Sequence, residues 1–477
     1  MWWIIPVILV AILVAVITIK TAKFKPKKVE KLQGSNEVVD NERIVSNMQK
    51  MIRCKTISYD NRSLEDNAEF EKFYAVVDNE YPLIAKHLTK TQFKPRGLLY
   101  HWKGENPGNA TIFMSHFDVV PADEKAWDKP AFDAIIENGE MWGRGTLDTK
   151  GTLCSILEST EELLKRGFVP KHDIYLSFGG DEETRGETTP FIVEYFEKNN
   201  IEIGLILDEG GAVVTGVFPG VKKSIAVIGT AEKGIMDANF EMKSSGGHAS
   251  TPPKHTIVGE LSKAMVKLEK HNFKMRLSGA GSEMLDTLAR ESILPIRVIF
   301  ANMWLFKPLL ALATKLMGGD LNAIVRTTFG ATMMSASEAA NVIPTEAKMV
   351  ANMRLIPGET VESTVADLTK VVNNEKIAVY ATGYCNPSPN SDTSCEGYKK
   401  LFATVVETWD DAIPTPYLMM ACSDSRHYAR ISDKVFRFSA MEMTKAERGY
   451  IHGHNERIQI DNLIKTVVFY LRLMQKC

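Results

Sequence analysis

The chain reads as an α/β protein with a smaller α+β unit inserted into it and an apolar helix at its N-terminus. Three observations predict this. Residues 41–228 alternate apolar runs of strand length with amphipathic helical stretches, the pattern of a mostly parallel sheet flanked by helices. Near Glu232-Lys233-Gly234 the pattern shifts to half-polar alternation, and it shifts back after the proline-rich stretch 386–392. Residues 2–19 are apolar or neutral and carry no charge.

Taken in order, residues 1–20 are long enough to span a bilayer, with Trp2 and Trp3 suited to one interface. Lys20, Lys23, Lys25, Lys27 and Lys28 come after the apolar run. A cleaved signal peptide has a basic start and a small-residue cleavage site. The reversed order here predicts an uncleaved single-span anchor, followed by a basic polar tether over 21–40. The positive-inside rule places the residues after the anchor on the cytoplasmic side.

In 41–228, ATIFM (110–114), HDIYLSF (172–178) and IEIGLIL (201–207) read as buried strands. A helix starts at Lys150-Gly151 and runs through SILESTEELLKRG. The inserted unit spans 229–385. DANFEMKS (237–244) alternates like a strand on a half-solvated sheet. Helices are expected at 257–271 and 281–290, strands at 348–356 and 376–382, and a helix over 361–373 between those strands. The apolar stretch 298–319 reads as a buried helix pair, or as a wall that receives an acyl chain or touches membrane. Lys307-Pro308 interrupts it too much for a second span. Residues 386–477 complete the larger domain.

Composition narrows the class. The 477 residues suffice for more than one domain. A hydrophobic content of 44% and a charged content of 24% are ordinary for a globular protein. A net charge of −2 without a basic stripe excludes a nucleic-acid binder. The six cysteines show no CxxC spacing and read as mostly free thiols, with Cys385 and Cys395 able to pair in an oxidising compartment.

The chemistry gathers at strand ends. His116 and Asp118 lie in SHFDVVP, Asp148 in GRGTLDTKG, Glu182 and Glu183 in GGDEETRG, Asp208 in LILDEGG, and His452 in IHGHNE. Singly, each has an ordinary explanation as a solvated loop, a cap or a turn residue. Jointly they follow apolar strands, where open α/β sheets place ligands. His116 and Asp118 are two apart and share a face of extended chain, so Asp118 can hold the outer ring nitrogen of His116. The set supplies imidazoles and carboxylates for two divalent metal ions and a spare glutamate for proton transfer, the requirements of metal-assisted hydrolysis.

Through SHFDVVP (115–121), GRGTLDTKG (143–151), DEE (181–183), LDEGG (207–211), SGGHAS (245–250), NVIP (341–344), NMRLIPG (352–358), SDSR (423–426) and HGHNE (452–456), the chain resembles the M20 family of dinuclear zinc peptidases and amidohydrolases. The resemblance runs from about residue 40 to the end. Within the family it is most similar to Gly-X carboxypeptidases and N-fatty-acyl-amino-acid synthases/hydrolases. It implies a zinc-peptidase-like catalytic domain, with 229–385 as a lid and dimerisation domain. It also implies His116 and Asp208 on one zinc (Zn2+), Glu183 and His452 on the other, Asp148 bridging, and Glu182 as general base. The family pattern His-Gly-x-Asn-Glu selects His452, whereas spacing alone leaves His454 equally open. Thr149 stands where many relatives have a second aspartate, and Cys422 also departs from them.

Four further residues carry substrate contacts under the resemblance. His248 follows two glycines and reads by itself as a structural turn residue; the resemblance makes it an oxyanion donor across a dimer interface. Arg354, otherwise a strand-surface ion-pair residue, would hold a substrate carboxylate as a two-pronged donor. Asn341 is an amide contact or a turn residue before Pro344. Arg426 serves the same carboxylate or braces Asp424. Histidine with carboxylates suits zinc, though manganese and cobalt take such sites. The expected partners are a small N-acyl amino acid or short peptide, a membrane through the anchor, and a second copy of the chain. The expected activity is cleavage of the amide next to a free carboxylate, possibly in N-fatty-acyl amino acids. The alternatives are a Gly-X-type carboxypeptidase and a non-catalytic scaffold of the same fold. The side of the membrane stays open, because the most similar family members act outside the cytoplasm or in a lumen.

Overall fold

The computed structural model describes residues 4–184, 186–277 and 279–477, so Trp2 and Trp3 lie outside the described residues. Helix α1 (Ile4–Lys23) is long and apolar enough to cross a membrane and is almost wholly exposed. Three helices, α2 (Asn41–Ile52), α3 (Asn67–Glu80) and α4 (Pro82–His87), lead into β1 (Thr89–Phe93), β2 (Gly97–Trp102) and β3 (Asn106–His116). Then come β4 (Ile135–Glu137), β5 (Glu140–Trp142), α5 (Lys150–Lys165), β6 (His172–Gly179) and α6 (Thr188–Lys198). The strands β7 (Ile203–Asp208), β8 (Val213–Val214) and β9 (Ile225–Glu232) close this half.

The insert begins with β10 (Gly234–Lys243), β11 (Gly247–His248) and α7 (Ile257–Lys270). Four helices follow: α8 (Gly279–Glu291), α9 (Leu294–Ala301), α10 (Met303–Met317) and α11 (Gly319–Val325). It ends with β12 (Thr328–Ser335), β13 (Val342–Ile343), β14 (Glu346–Leu355), α12 (Val361–Val372) and β15 (Ala378–Cys385). The chain then returns through α13 (Glu396–Thr408), β16 (Ile413–Met419), β17 (Val435–Arg437), β18 (Glu442–Met443), α14 (Lys445–Arg448), β19 (Arg457–Gln459) and α15 (Ile460–Met474).

The main sheet has the order β1-β2-β6-β3-β7-β17-β9-β8-β18, with β16 beside β9. At its centre β6, β3 and β7 are parallel, and β17 continues parallel to β7. These strands are buried on both faces: Phe113 joins the core under α5 and α15, while Ile112 and Met114 pack with Val193 and Phe196 of α6. Such two-sided burial is what makes their sequences continuously apolar. The flanks differ from expectation. β1 and β2 pair antiparallel, β2 meets β6 antiparallel, and β9 is antiparallel to both β17 and β8. The sheet is therefore mixed, with five parallel pairings, including β16 with β9 and β18 with β8, and four antiparallel ones. Only residues 94–96 link β1 to β2, and so short a link permits only an antiparallel return.

The switch at 232–234 is where the sequence pattern changes. β9 keeps residues 229–232 in the main sheet, and β10 opens a second, antiparallel sheet of order β12-β14-β10-β15. α7 and α12 cover one face of it, around a separate core that includes Met236, Phe240, Leu261, Met349 and Leu368. Helices α8 and α11 depart from this plan. Their residues Met284, Leu285, Leu288, Ile324 and Val325 belong to the core of the main sheet. The expected buried helix pair over 298–319 is also not buried: α9 and α10 meet at a 113° bend, and Trp304, Leu309, Leu312 and Leu316 are each more than half exposed. All six cysteines are free; Cys385 lies 4.0 Å from Cys422 rather than near Cys395, whose thiol instead caps α13.

Candidate active site

The carboxyl ends of β6, β3 and β7 lie side by side and deliver most of the site. His116 is the last residue of β3, Glu182 and Glu183 open a short turn just after β6, and β7 ends at Asp208. Asp148 comes from the loop before α5, and His452 from the loop after α14. His452 adopts φ +58°, in the left-handed region.

Asp148 stands between the two histidines. Its Oδ1 is 3.1 Å from His116 Nε2 and its Oδ2 is 3.1 Å from His452 Nε2. Glu183 Oε2 is 3.0 Å from the same His452 nitrogen. Ligand atoms about 2.1 Å from a tetrahedral ion stand roughly 3.4 Å apart, so this spacing suits donors that share a metal. Two groups of potential ligands gather within 4.8 Å: His116 with Asp148 and Glu183, and His116 with Glu182 and Glu209. Glu183 Oε1 is buried without a hydrogen-bond partner among the described residues, as expected of an oxygen reserved for a cation. His454 is exposed and belongs to neither group.

Asp118 organises this arrangement. His116 Nδ1 lies 3.0 Å from the Asp118 carbonyl and 3.3 Å from its Oδ1, which leaves Nε2 facing the cluster. The Asp118 carboxylate accepts the backbone N–H of Glu182 (3.2 Å) and of Glu183 (3.1 Å), and the Ser58 hydroxyl (2.7 Å). One buried carboxylate thus fixes the imidazole and the turn carrying the glutamates. Thr149 does similar work on the other side: its hydroxyl accepts the His116 N–H at 3.2 Å and lies 2.7 Å from Ser115 Oγ.

Asp208, expected as a ligand, lies outside both of these groups. Its Oδ2 accepts the Ser425 N–H at 2.9 Å, on the side of the turn 424–430. Glu209, one residue on, faces the other way and places Oε1 3.5 Å from His116 Nε2. Successive side chains on extended backbone alternate in direction. Glu456 was also missed as an organiser. Its Oε1 accepts the N–H groups of Gly145 (3.1 Å) and Leu147 (2.8 Å), and Oε2 meets Arg144 at 2.8 Å. It ties the Asp148 loop to the His452 loop.

The site concentrates negative charge. Burial pushes Glu182 well above the ordinary carboxylate value; Asp424, Glu209 and Glu183 add to this against His116. Burial and then Asp148 raise Glu183 and take Glu209 to about 8. Burial opposes ionisation of Asp148 as well, yet hydrogen bonds from His116 and His452 hold it well below the usual range. Bonds to Asp148 and Glu183 raise His452 to about 10. Crowded, desolvated carboxylates of this kind are relieved by cations.

The expected substrate residues lie apart. Arg426 is closest in effect: its charge acts on Asp424 and Glu182, and its Nη1 donates to the Ser423 carbonyl at 2.9 Å. Arg354 is half-buried on β14, opposite Ile235 and Thr328. His248 and Asn341 lie on the exposed β11–β13 ribbon, where the Asn341 carbonyl accepts the Ala249 N–H at 3.0 Å. No hydrogen bond or ion pair among the described residues joins His248 to the cluster.

Comparisons with known proteins agree with this arrangement. The model of Peptidase family M20/M25/M40 matches residues 112–476. A probable carboxypeptidase S-like 2 of Dictyostelium discoideum is 34% identical, over 91% of this chain and 84% of that protein. An N-fatty-acyl-amino acid synthase/hydrolase, PM20D1 of Xenopus tropicalis, is 30% identical, over 98% and 92%. Among solved structures, the M20 family metallo-carboxypeptidase Sso-CP2 of Sulfolobus solfataricus superposes with a TM-score of 0.65 at 16% identity, covering 91% of this chain and 98% of that one. The chain belongs to peptidase family M20/M25/M40 and is a hydrolytic enzyme with a candidate metal site at the ends of β3, β6 and β7.

Proposed function

We propose that this enzyme is a two-metal amide hydrolase, anchored by α1, that cleaves N-acyl amino acids next to their free carboxylate. The observation that carries the metal reading is Asp148, with one carboxylate oxygen 3.1 Å from each histidine. His116 and Glu209 would hold one ion, Glu183 and His452 the other, and Asp148 would bridge. Zinc fits these donors, as do manganese and cobalt. Bound there, the ions supply Lewis acidity and lower the pKa of water to about 7.

The chain's own residues do the rest. Glu182 takes the proton of the attacking water and returns it to the leaving amine nitrogen. Asp118 keeps Glu182 and His116 in place. Arg426 or Arg354 pairs with the substrate carboxylate. His248, brought by a second copy of the chain, donates to the carbonyl oxygen as charge develops.

The acyl group is assigned as lipophilic. The relatives named N-fatty-acyl-amino acid synthase/hydrolase support this, as do the apolar anchor and the exposed apolar helices. A second reading, cleavage of short peptides, has the support of the carboxypeptidase S-like relative. Each buried methylene adds about 0.8 kcal/mol, so kcat/KM should climb from N-acetyl through N-lauroyl to N-oleoyl phenylalanine. Faster turnover of Gly-Leu-type peptides, with no gain from chain length, would favour the second reading. In the same assay Glu182→Gln should keep its metal and lose activity by several orders of magnitude. Near-normal turnover by metal-loaded Glu182→Gln would remove Glu182 from the mechanism.

A further inference from the structure

Helices α9 and α10 carry an apolar surface that the main sheet does not cover. From Ser292 to Gly319 the only charged residues are Arg297, Lys307 and Lys315, with no acidic residue. The surface includes Trp304, Leu309, Leu312 and Leu316. α10 has 15 residues and meets α9 at 113°. By itself α10 is shorter than the roughly 20 residues that cross a bilayer, and its bend against α9 keeps the pair from forming one straight span.

This surface is continuous with α1. Asn302 Nδ2 donates to Thr21 Oγ1 at 3.2 Å, and Arg297 Nη2 donates to the Phe24 carbonyl at 2.9 Å. The Arg290 guanidinium lies 4.1 Å from the Phe24 ring centre, and Lys20 Nζ 5.3 Å from that of Trp304. These contacts all fall at the C-terminal, lysine-bearing end of α1. If α1 lies in a bilayer, α9 and α10 are held at its interface. Their charges are only positive, the sign that suits anionic headgroups.

Behind α9 lies an apolar cavity of about 180 Å³. One wall includes Gly210 and Ile451, the neighbours of Glu209 and His452. The other includes Leu288 of α8 and Leu321 of α11. Phe218, also in the lining, packs against Phe300 of α9 with ring centres 6.4 Å apart. The cavity therefore lies between segments that adjoin the candidate metal ligands in sequence and the helices α8 and α11, with Asp320 and Arg448 as the charged residues of its lining.

We propose that α9 and α10 lie in the interface of the bilayer that holds α1, and that the cavity behind them takes the acyl chain of a substrate arriving from that bilayer. The cavity assignment rests on the N-acyl amino acid reading; the membrane contact does not. A helix with an apolar face and a basic rim lies in the headgroup–acyl boundary in this way.

The test uses the full chain in vesicles of phosphatidylcholine with a minority of phosphatidylserine, made with plain or dibrominated acyl chains. The emission difference between the wild type and Trp304→Phe isolates Trp304. Most of that difference should vanish in brominated vesicles. An unchanged difference overturns the membrane contact, as does burial of Trp304 in a contact with a second copy. The cavity is tested by Leu321→Trp and, from another wall, Val217→Phe. Displacing two methylenes should cost about tenfold in kcat/KM on N-oleoyl phenylalanine and leave N-acetyl phenylalanine nearly unchanged. A variant that keeps N-acetyl turnover and an unaltered chain-length profile overturns the cavity assignment. A wild type that hydrolyses no N-acyl amino acid removes the substrate reading instead, and Trp304 quenching still decides the membrane contact.

Discussion

At the scale of single residues, the site turns on direction as much as identity. Asp208 and Glu209 are both acidic, both buried in effect, and adjacent. Ile206 packs with Tyr428 on the α6 face of the sheet, and Asp208, two residues on, faces the same side toward the Ser425 N–H. Glu209 takes the opposite side, toward His116. Glu209→Ala should therefore release about one of the two ions on dialysis, whereas Asp208→Asn should keep both and lower the melting temperature. Elemental analysis of the two variants decides it; metal loss in Asp208→Asn alone would restore the assignment first read from the sequence. The acids were legible because each follows an apolar run or sits among glycines. The choice within Asp208-Glu209 was not, because it depends on which face of β7 meets α6. Glu456 was visible only as part of HGHNE. Its partners at Gly145 and Leu147 are some three hundred positions away, and local pattern does not reach that far.

At the scale of elements, the central strands and helices follow their sequence periodicity, and the departures have local causes. β3, β6 and β7 are apolar because they are buried twice over, and α7 and α12 match the helical stretches expected at 257–271 and 361–373. Strand direction is not written in an apolar run, so the antiparallel flanks were not legible. The exposure of α10 was not legible either, since an apolar helix against lipid and one in a core have the same composition. The join at 232–234 was legible, and it contains a testable group. Lys233 is buried, with Nζ donating to the carbonyls of Ala323 (3.0 Å) and Arg326 (2.7 Å). Burial, and then the charge of Arg354, lower its pKa from 10.5 to about 7. The unfolded lysine holds its proton up to its ordinary value, while the folded one releases it near 7. Between those limits the unfolded chain binds more protons, so stability rises with pH. Below pH 7 both forms are protonated and the contribution is constant. Each unit of the window is worth about 1.4 kcal/mol. The melting temperature of the wild type should thus gain on that of Lys233→Met from pH 7 to 9, and parallel curves would show that Lys233 keeps its proton throughout.

At the scale of the whole molecule, the exposed parts of the insert raise the question of a second copy. β12 is an edge strand of the four-stranded sheet, with Met333 and Met334 exposed. An open, apolar edge is a surface that pairs or is covered. The ribbon carrying His248 and Asn341 is exposed as well, and among the described residues the His248 side chain bonds only to Ser250, accepting its N–H at 3.1 Å and lying 2.7 Å from its hydroxyl. Under the proposed function, a second chain brings this histidine over the cluster. A closed two-fold dimer would do this reciprocally, each copy lending its His248 to the other. Neither Glu182→Gln nor His248→Ala should then be active alone. A hybrid of the two has one complete site, built from the Glu182 of one chain and the His248 of the other. Free exchange makes half the dimers hybrids, so an equal mixture should recover about a quarter of wild-type activity. Differently tagged chains verify the exchange independently. If hybrids form and activity stays at the level of the separate variants, His248 acts within its own chain or not at all, and the oxyanion must be met by residues already beside the metal cluster, with Arg426 the first to test.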